Sequence, residues 1–184
     1  TTGSYNIANG SFALYSNTIG ANNTATGYEA LMLNTTGNNN TANGYQALNR
    51  NTTGGSNTAN GYYALYSNTT GMRNTAVGHG ALDDLDTDND NVAIGYDALG
   101  GPIASAEMNV AIGNYTLDAL TTGDHNVAVG YDAMTASTTG SNNVAVGDAA
   151  LADNTSGSNN TGSGDAALES NTTGSNNNKS RTYL

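Results

Sequence analysis

The chain has 184 residues and a formal net charge of −11, and three residue types dominate it: 30 Asn, 26 Thr and 24 Gly. The lack of Cys excludes disulfides, thiolate zinc sites and iron–sulfur clusters. Leu, Ile, Val and Phe are together too scarce to fill the core of an ordinary α/β or helical domain.

A short repeat runs through almost the whole chain. The units are 1–17, 18–34, 35–51, 52–68, 69–85, 86–103, 104–120, 121–137, 138–154 and 155–171, and 172–184 begins another. The unit 86–103 is one residue longer, close to Gly100, Gly101 and Pro102. We number the positions of a unit from 1 to 17 and place this extra residue before position 17. The repeat predicts a solenoid domain of ten coils over 1–171, followed by a partial coil and C-terminal tail over 172–184.

The elements of one coil follow each other in a fixed order. Thr-Thr-Gly at positions 1–3 and the Asn-rich stretch after it are typical of turns. Positions 6–9, as in Asn91-Val92-Ala93-Ile94, predict a strand, and the Gly at position 10 allows a bend that a Cβ atom would obstruct. A second extended stretch is expected around positions 13 and 14, which are Ala and Leu, each in nine of the ten full coils.

Stacking such coils solves the shortage of large apolar side chains. Equivalent positions of neighbouring coils lie about 4.8 Å apart, so roughly eleven coils form a rod on the order of 50 Å long. A solenoid core is only one or two side chains wide, which Ala at positions 8 and 13 and Leu at position 14 nearly fill. Asn side chains at equivalent positions are expected to form hydrogen-bonded ladders along the axis. The predicted fold is all-β, a parallel β-solenoid or β-roll.

The two faces of the predicted strand differ in composition. Position 8 is Ala in the first nine coils, whereas positions 7 and 9 are mostly Thr and Asn in the first four coils and Val or Ile in most of the next five. Because side chains alternate along a strand, positions 7 and 9 share one face. Either they line the inside of the coil, or they form an external stripe that a partner chain buries. Both interpretations favour an oligomer.

Charge is also distributed unevenly. Residues 1–82 carry Glu29 against Arg50 and Arg73, whereas residues 83–178 carry fourteen acidic and no basic residues. This acidic half is expected to repel membranes and polyanions, which argues against nucleic acid as a partner. No apolar run approaches the roughly 20 residues that span a bilayer, so membrane insertion is not expected.

Four of the predicted strands share the pattern Asn-Val-Ala-Ile/Val-Gly. They lie at 91–95, 109–113, 126–130 and 143–147. This pattern resembles the head repeats of YadA-like trimeric autotransporter adhesins. The further patterns Asn-Thr-Ala-x-Gly-Tyr-x-Ala-Leu and Asn-Thr-Thr-Gly resemble repeat regions of bacterial surface proteins and phage tail fibres. The resemblance implies a left-handed parallel β-roll, assembled as a homotrimer with three rolls side by side in an extracellular fibre.

One acidic run has the spacing of a cation loop. Asp86, Asp88 and Asp90 alternate with other residues, and Asp97 falls at the twelfth position, as in a calcium loop. Asn91 stands where such a loop needs Gly, and the following residues predict a strand. The hypotheses are therefore a Ca²⁺ site at these four residues and a solvated, charge-dense turn.

Tyrosines recur at position 11 of the coil. They are Tyr28, Tyr45, Tyr62, Tyr96 and Tyr131. A row of exposed rings is a candidate ligand-binding surface, on which sugars would stack. A structural ladder that seals the edge of the coil explains the same residues without a ligand, and Tyr15, Tyr63 and Tyr66 widen the aromatic patch under either interpretation.

Threonine rows at the start of most coils also permit ice binding, although turn chemistry explains Thr-Thr-Gly as well. His79 and His125 occupy different coil positions, and no Ser, Asp and His group has the spacing of a nucleophile with its base. We therefore expect no enzyme.

The sequence predicts a non-enzymatic segment of an extracellular fibre, from a phage tail fibre or a bacterial surface adhesin. It would act as a stiff rod that binds a cell-surface glycan or protein at several points. The alternatives are a filament subunit that stacks end to end and an ice-binding solenoid.

Overall fold

The structure, a computed structural model, describes residues 2–181 and is a parallel β-solenoid, which confirms the predicted fold. Eleven short strands form one sheet in chain order. They are β1 (Ile7–Asn9), β2 (Thr24–Thr26), β3 (Thr41–Asn43), β4 (Thr58–Asn60), β5 (Thr75–Val77), β6 (Val92–Ile94), β7 (Val110–Ile112), β8 (Val127–Val129), β9 (Val144–Val146), β10 (Thr161–Ser163) and β11 (Asn178–Ser180). Among the described residues, no helix is long and apolar enough to cross a membrane.

Every strand pairs with the same position of the next coil. Thr24 pairs with Thr41, one regular repeat later, and Val92 pairs with Val110 across the longer unit. The extra residue of 86–103 therefore lies outside the sheet and leaves the strand register intact. The partial coil after 171 continues the same stack, because Thr161 of β10 pairs with Asn178 of β11.

Position 8 faces the interior and positions 7 and 9 face outward. Ala at position 8 is fully buried from Ala25 to Ala145, whereas Ile94 and Val146 are 38% and 42% exposed. The interpretation that Val and Ile line the inside of the coil is therefore wrong. The interior has no room for them: a Cβ added to Gly162, at the same position, would lie 2.8 Å from the carbonyl oxygen of Ala167 and 3.4 Å from Leu151.

Alanine at positions 8 and 13 and leucine at position 14 form the core, as predicted. Ala64, Leu65 and Ala76 are fully buried, as are their equivalents in the neighbouring coils. Most coils contribute one large and two small side chains, and Leu85, Ile103 and Leu120 at position 17 add a second large one to the fifth, sixth and seventh coils. The core is therefore narrow and continuous along the axis. The few leucines of this chain are sufficient for such a core.

Asn at position 6 joins each coil to the next through both atoms of its amide. The Oδ1 atom of Asn57 accepts a hydrogen bond from the backbone N–H of Asn74 at 2.9 Å, and its Nδ2 donates to the carbonyl of Gly71 at 2.7 Å. Asn57 is fully buried. No other side chain of this length presents an acceptor and a donor side by side, which explains why the position is always Asn.

A second amide ladder runs along position 17. Asn34, Asn51 and Asn68 each donate from Nδ2 to the Oδ1 of the Asn one coil earlier, at 2.8–2.9 Å. Leu85 occupies the next position, and the buried Oδ1 of Asn68 consequently has no hydrogen-bond partner. The predicted Asn ladder is thus formed, and it stops where leucine replaces asparagine.

Gly at position 10 makes the bend after each strand. Its φ angle lies between +107° and +151° in all ten full coils, a region that residues with a Cβ atom rarely adopt. A Cβ on Gly61 would also lie 2.1 Å from the carbonyl oxygen of Gly78. Both the conformation and the close stacking of coils therefore require glycine, as predicted.

The second predicted strand, around positions 13 and 14, is wrong. This segment consists of consecutive turns: in the second coil the N–H groups of Ala30, Met32 and Asn34 donate to carbonyls three residues earlier. Every second N–H still bonds to the next coil, as Leu31 does to Ala47, so the segment stacks like a strand without being extended.

Leucine at position 14 adopts a left-handed backbone conformation. Leu31 has φ +50°, and its equivalents in the other coils have similar values. A left-handed residue costs about 1–2 kcal/mol, whereas burying a leucine side chain contributes about 1.5–3 kcal/mol. Burial therefore outweighs the backbone penalty. Backbone propensity alone does not predict a left-handed leucine, because it does not include the gain from burial.

Candidate binding surface

Five aromatic rings at position 11 form a continuous stack along the rod. They are Tyr28, Tyr45, Tyr62, His79 and Tyr96, with successive ring centroids 4.9–5.2 Å apart and ring planes within 14° of parallel. We call this stack the aromatic ladder. Four of the five tyrosines predicted at position 11 belong to it, and His79 fills the gap between Tyr62 and Tyr96.

Tyr131 lies apart from the aromatic ladder. Asn114 occupies position 11 of the intervening coil, so the stack ends at Tyr96. Tyr115, at position 12, instead links the two rings by edge contacts, 5.4 Å from Tyr96 and 6.0 Å from Tyr131. Tyr131 is also more exposed, at 53%, than the tyrosines of the ladder.

The geometry of the aromatic ladder distinguishes between a sugar-binding surface and a structural ladder. Inner rings such as Tyr45 contact a neighbouring ring on both faces, so only their edges and hydroxyl groups reach solvent. A sugar that stacks needs an open ring face, and the inner rings offer none. The geometry thus favours the structural ladder for these residues.

Three tyrosine hydroxyl groups along this edge, those of Tyr28, Tyr63 and Tyr96, have raised pKa values. A hydrogen bond with Glu29 and the negative charge of that residue raise the pKa of Tyr28, and the charge of Asp97 raises the pKa of Tyr96. At position 12, a hydrogen bond with Tyr62 raises the pKa of Tyr63 to about 12. The edge therefore presents hydrogen-bond donors beside carboxylate acceptors.

The four aspartates of the predicted calcium loop do not converge. The Asp86 carboxylate accepts a hydrogen bond from the Thr69 hydroxyl, and the largely buried Asp88 accepts one from the backbone of Ala106. Asp97 lies at position 12, with its Oδ1 atom 3.8 Å from Nδ1 of His79.

Asp90 already has a cationic partner. The Arg73 guanidinium binds both carboxylate oxygens, at 2.6 and 2.8 Å, and lowers the pKa of Asp90. Within residues 2–181, no group of three or more His, Asp or Glu side chains is placed to hold a metal ion. The structure therefore does not bring Asp86, Asp88, Asp90 and Asp97 together as one group, and the Ca²⁺ site at these residues stays a prediction.

Thr-Thr-Gly has a clear structural role at the corner of the coil. At position 1 the hydroxyls of Thr35 and Thr52 donate to carbonyls one coil later, at 3.0 and 3.1 Å. The position 2 threonines, such as Thr53, remain exposed in a single row. Since the first hydroxyl of each pair is used within the stack, the motif presents one row rather than a broad threonine array.

Comparison of the chain with family models, with curated proteins and with solved structures finds no match. Its function is therefore inferred from the surfaces of the molecule itself.

Three carboxylates have pKa values raised by burial. Burial raises the pKa of Asp83 to about 6, and the charges of Asp84 and Asp97 add to this effect. Burial likewise raises the pKa values of Asp118 and Asp132. All three side chains belong to the acidic half of the chain.

The raised pKa of Asp83 makes folding stability depend on pH. The folded state binds this proton more tightly than the unfolded state, where the pKa is about 3.9. The stability of the folded chain should therefore rise as the pH falls from 7 through about 6, and level off below about 4. Asp83→Asn should stabilise the protein at pH 7 and flatten this rise, as measured by urea unfolding at several pH values. The same substitution at the exposed Asp153 is the control, and an equal effect there would contradict the assignment.

Proposed function

We propose that this chain is a non-enzymatic segment of an extracellular fibre, in a phage tail fibre or a bacterial surface adhesin. The stacked architecture suits a stiff rod, because asparagine amides and strand hydrogen bonds join every coil to the next. Such a rod extends a binding surface away from its anchor, and several copies side by side raise avidity without new contacts.

The observation that carries the proposal is an outward stripe of apolar side chains on β5–β9. We call it the apolar stripe: Val77, Val92, Ile94, Val110, Ile112, Val127, Val129, Val144 and Val146. All nine side chains are partly or largely exposed in the single chain. A contiguous row of this kind is typical of a surface that another chain covers.

The proposed occupant of the apolar stripe is a second and a third copy of the same chain. Positions 7 and 9 carry no charged side chain in any of the eleven strands, so copies can meet there without burying a charge. The homotrimer implied by the family resemblance would bury the stripe around a common axis. Its outer corners would then remain free for a cell-surface glycan or protein.

A polar version of the stripe tests the proposal. The substitutions Val110→Thr, Ile112→Asn, Val127→Thr and Val129→Asn copy the residues found at Thr41 and Asn43, so the core is unchanged. These substitutions remove several methyl groups that the proposed trimer buries. Association of the chains should therefore weaken roughly tenfold or more, as measured by sedimentation velocity. Met108→Asn is the control, because it removes an exposed apolar side chain from another corner. If the two variants associate equally well, the stripe is not the interface.

A further inference from the structure

Three aromatic residues at position 12 are evenly spaced along the rod. Phe12, Tyr63 and Tyr115 lie in the first, fourth and seventh coils, and the other full coils carry no aromatic residue at this position. Three steps of about 4.8 Å place successive rings about 14 Å apart. We call these three residues the platform row.

The local backbone does not explain the aromatic residues of the platform row. Phe12, Tyr63 and Tyr115 have φ angles of +60°, +59° and +57°. Asp, Asn and Gly tolerate this left-handed conformation best, and bulky residues are uncommon there. None of the three rings belongs to the buried core: Phe12 is exposed, and Tyr63 and Tyr115 are half-buried.

The platform rings are turned across the aromatic ladder instead of joining it. Phe12 makes an interplanar angle of 89° with Tyr28, Tyr63 one of 73° with Tyr45, and Tyr115 one of 65° with Tyr96. No platform ring therefore stacks face to face with another ring; Phe12 is exposed, and Tyr63 and Tyr115 are half-buried. The inner rings of the aromatic ladder, by contrast, have a parallel ring on both faces.

A second ring widens two of the platforms. The ring centroid of Tyr15 lies 5.6 Å from that of Phe12, and Tyr15 is 71% exposed. The ring centroid of Tyr66 lies 4.9 Å from that of Tyr63. Arg50 lies over the Tyr66 ring, with its guanidinium carbon 4.9 Å from the ring centroid. The first and fourth coils thus each present an aromatic pair.

Carboxylate and amide side chains lie in both intervals between the platform residues. Between Phe12 and Tyr63, the Glu29 carboxylate accepts hydrogen bonds from the side chains of Gln46 and Asn49. Between Tyr63 and Tyr115, position 12 carries Asp97. Carboxylate and amide oxygens accept hydrogen bonds from hydroxyl groups, which a ligand lying across the rings would have to supply.

From these features we propose that the platform row binds a linear, neutral polysaccharide that lies along the rod. Sugar rings would stack on the aromatic residues at intervals, and sugar hydroxyls would donate to the carboxylates and amides between them. An anionic polysaccharide is disfavoured, because the chain has a formal net charge of −11 and the third platform residue, Tyr115, lies in its acidic half. This inference rests on the adhesive part of the proposed function and names its ligand class.

The experiment uses the full chain in native gels that contain a soluble polysaccharide. The probes are hydroxyethylcellulose, galactomannan and dextran, with alginate as the anionic comparison. At least one neutral polysaccharide should retard the protein, and alginate should not. Phe12→Gln, Tyr63→Gln and Tyr115→Gln adopt the residue that Gln46 already provides at position 12, so the fold is preserved. Each substitution should weaken binding about two- to tenfold, and the triple variant should lose retardation.

Tyr5→Asn is the matched control, because Tyr5 is 85% exposed at position 5, where Asn is common. The proposal is overturned if no neutral polysaccharide retards the chain, if alginate retards it more strongly, or if the triple variant binds as well as the unchanged chain. Sedimentation of the same variants separates this result from the proposed trimer. A loss of mass in the triple variant would show that the platform row is a chain interface and would also overturn the proposal.

Discussion

Gly61→Ala should destabilise the protein by about 3 kcal/mol or more. The new Cβ atom would lie 2.1 Å from the carbonyl oxygen of Gly78, and φ of +151° is a conformation that alanine avoids. Neither coil can move away without breaking the strand hydrogen bonds between β4 and β5. Urea unfolding followed by circular dichroism should show the loss of stability. Hydrogen exchange should place the damage at the fourth and fifth coils, because each repeat contacts only its neighbours.

Gly55→Ser is the control for this prediction. Gly55 lies at position 4, where Ser4 and Ser141 show that a side chain is accommodated. A Cβ atom there would lie 3.1 Å from the carbonyl oxygen of Asn38, a contact that a small shift relieves. The expected change is within about 0.5 kcal/mol. Equal effects of the two substitutions would mean that the coils are not stacked at position 10 as described.

Asn57→Leu should cost about 3 kcal/mol, although leucine is close to asparagine in size. The substitution leaves the N–H of Asn74 and the carbonyl of Gly71 without their side-chain partner in a buried setting, at about 1–3 kcal/mol for each group. Asn57→Asp should also be destabilising, because it keeps the acceptor, loses the donor and buries a charge. Urea unfolding of both variants measures these effects.

Asn60→Thr is the matched control, since Asn60 is exposed at position 9 and Thr26 occupies that position in the second coil. Its stability should stay close to that of the unchanged chain. If Asn57→Leu were as stable as this control, the amide at position 6 would not join the coils, and its invariance would need another explanation.

The period, the bend and the core could be predicted from the sequence because each has a physical signature. Glycine at position 10 indicates a backbone that excludes a Cβ atom, and Ala with Leu at positions 13 and 14 indicates a narrow core. The orientation of the strand could not be predicted, because alternation places positions 7 and 9 opposite position 8 without saying which side is inside. Space decides it: the interior beside Leu151 barely admits a methyl group, so Val146 faces outward and Ala145 inward.

The turns at positions 12 to 14 could not be predicted from the sequence, for a different reason. Leucine in a left-handed conformation contradicts local backbone preference, and only the burial of Leu31 and its equivalents compensates for it. His79 was recognisable as part of the aromatic ladder, because it occupies position 11 between Tyr62 and Tyr96. Its different side-chain type set it apart from the tyrosines in the sequence, but in the structure its ring stacks between those of Tyr62 and Tyr96. The alternating Asp86, Asp88 and Asp90 had the spacing of a cation loop, but the stacked coils place them beside different partners.

The apolar stripe on β5–β9 is the feature on which the proposed fibre segment depends. Sedimentation equilibrium of the full chain over a range of concentrations tests its burial most directly. We predict a mass near three times 18.6 kDa that persists on dilution. A mass of 18.6 kDa at all concentrations would contradict the proposal, because the stripe would then face solvent in the working protein.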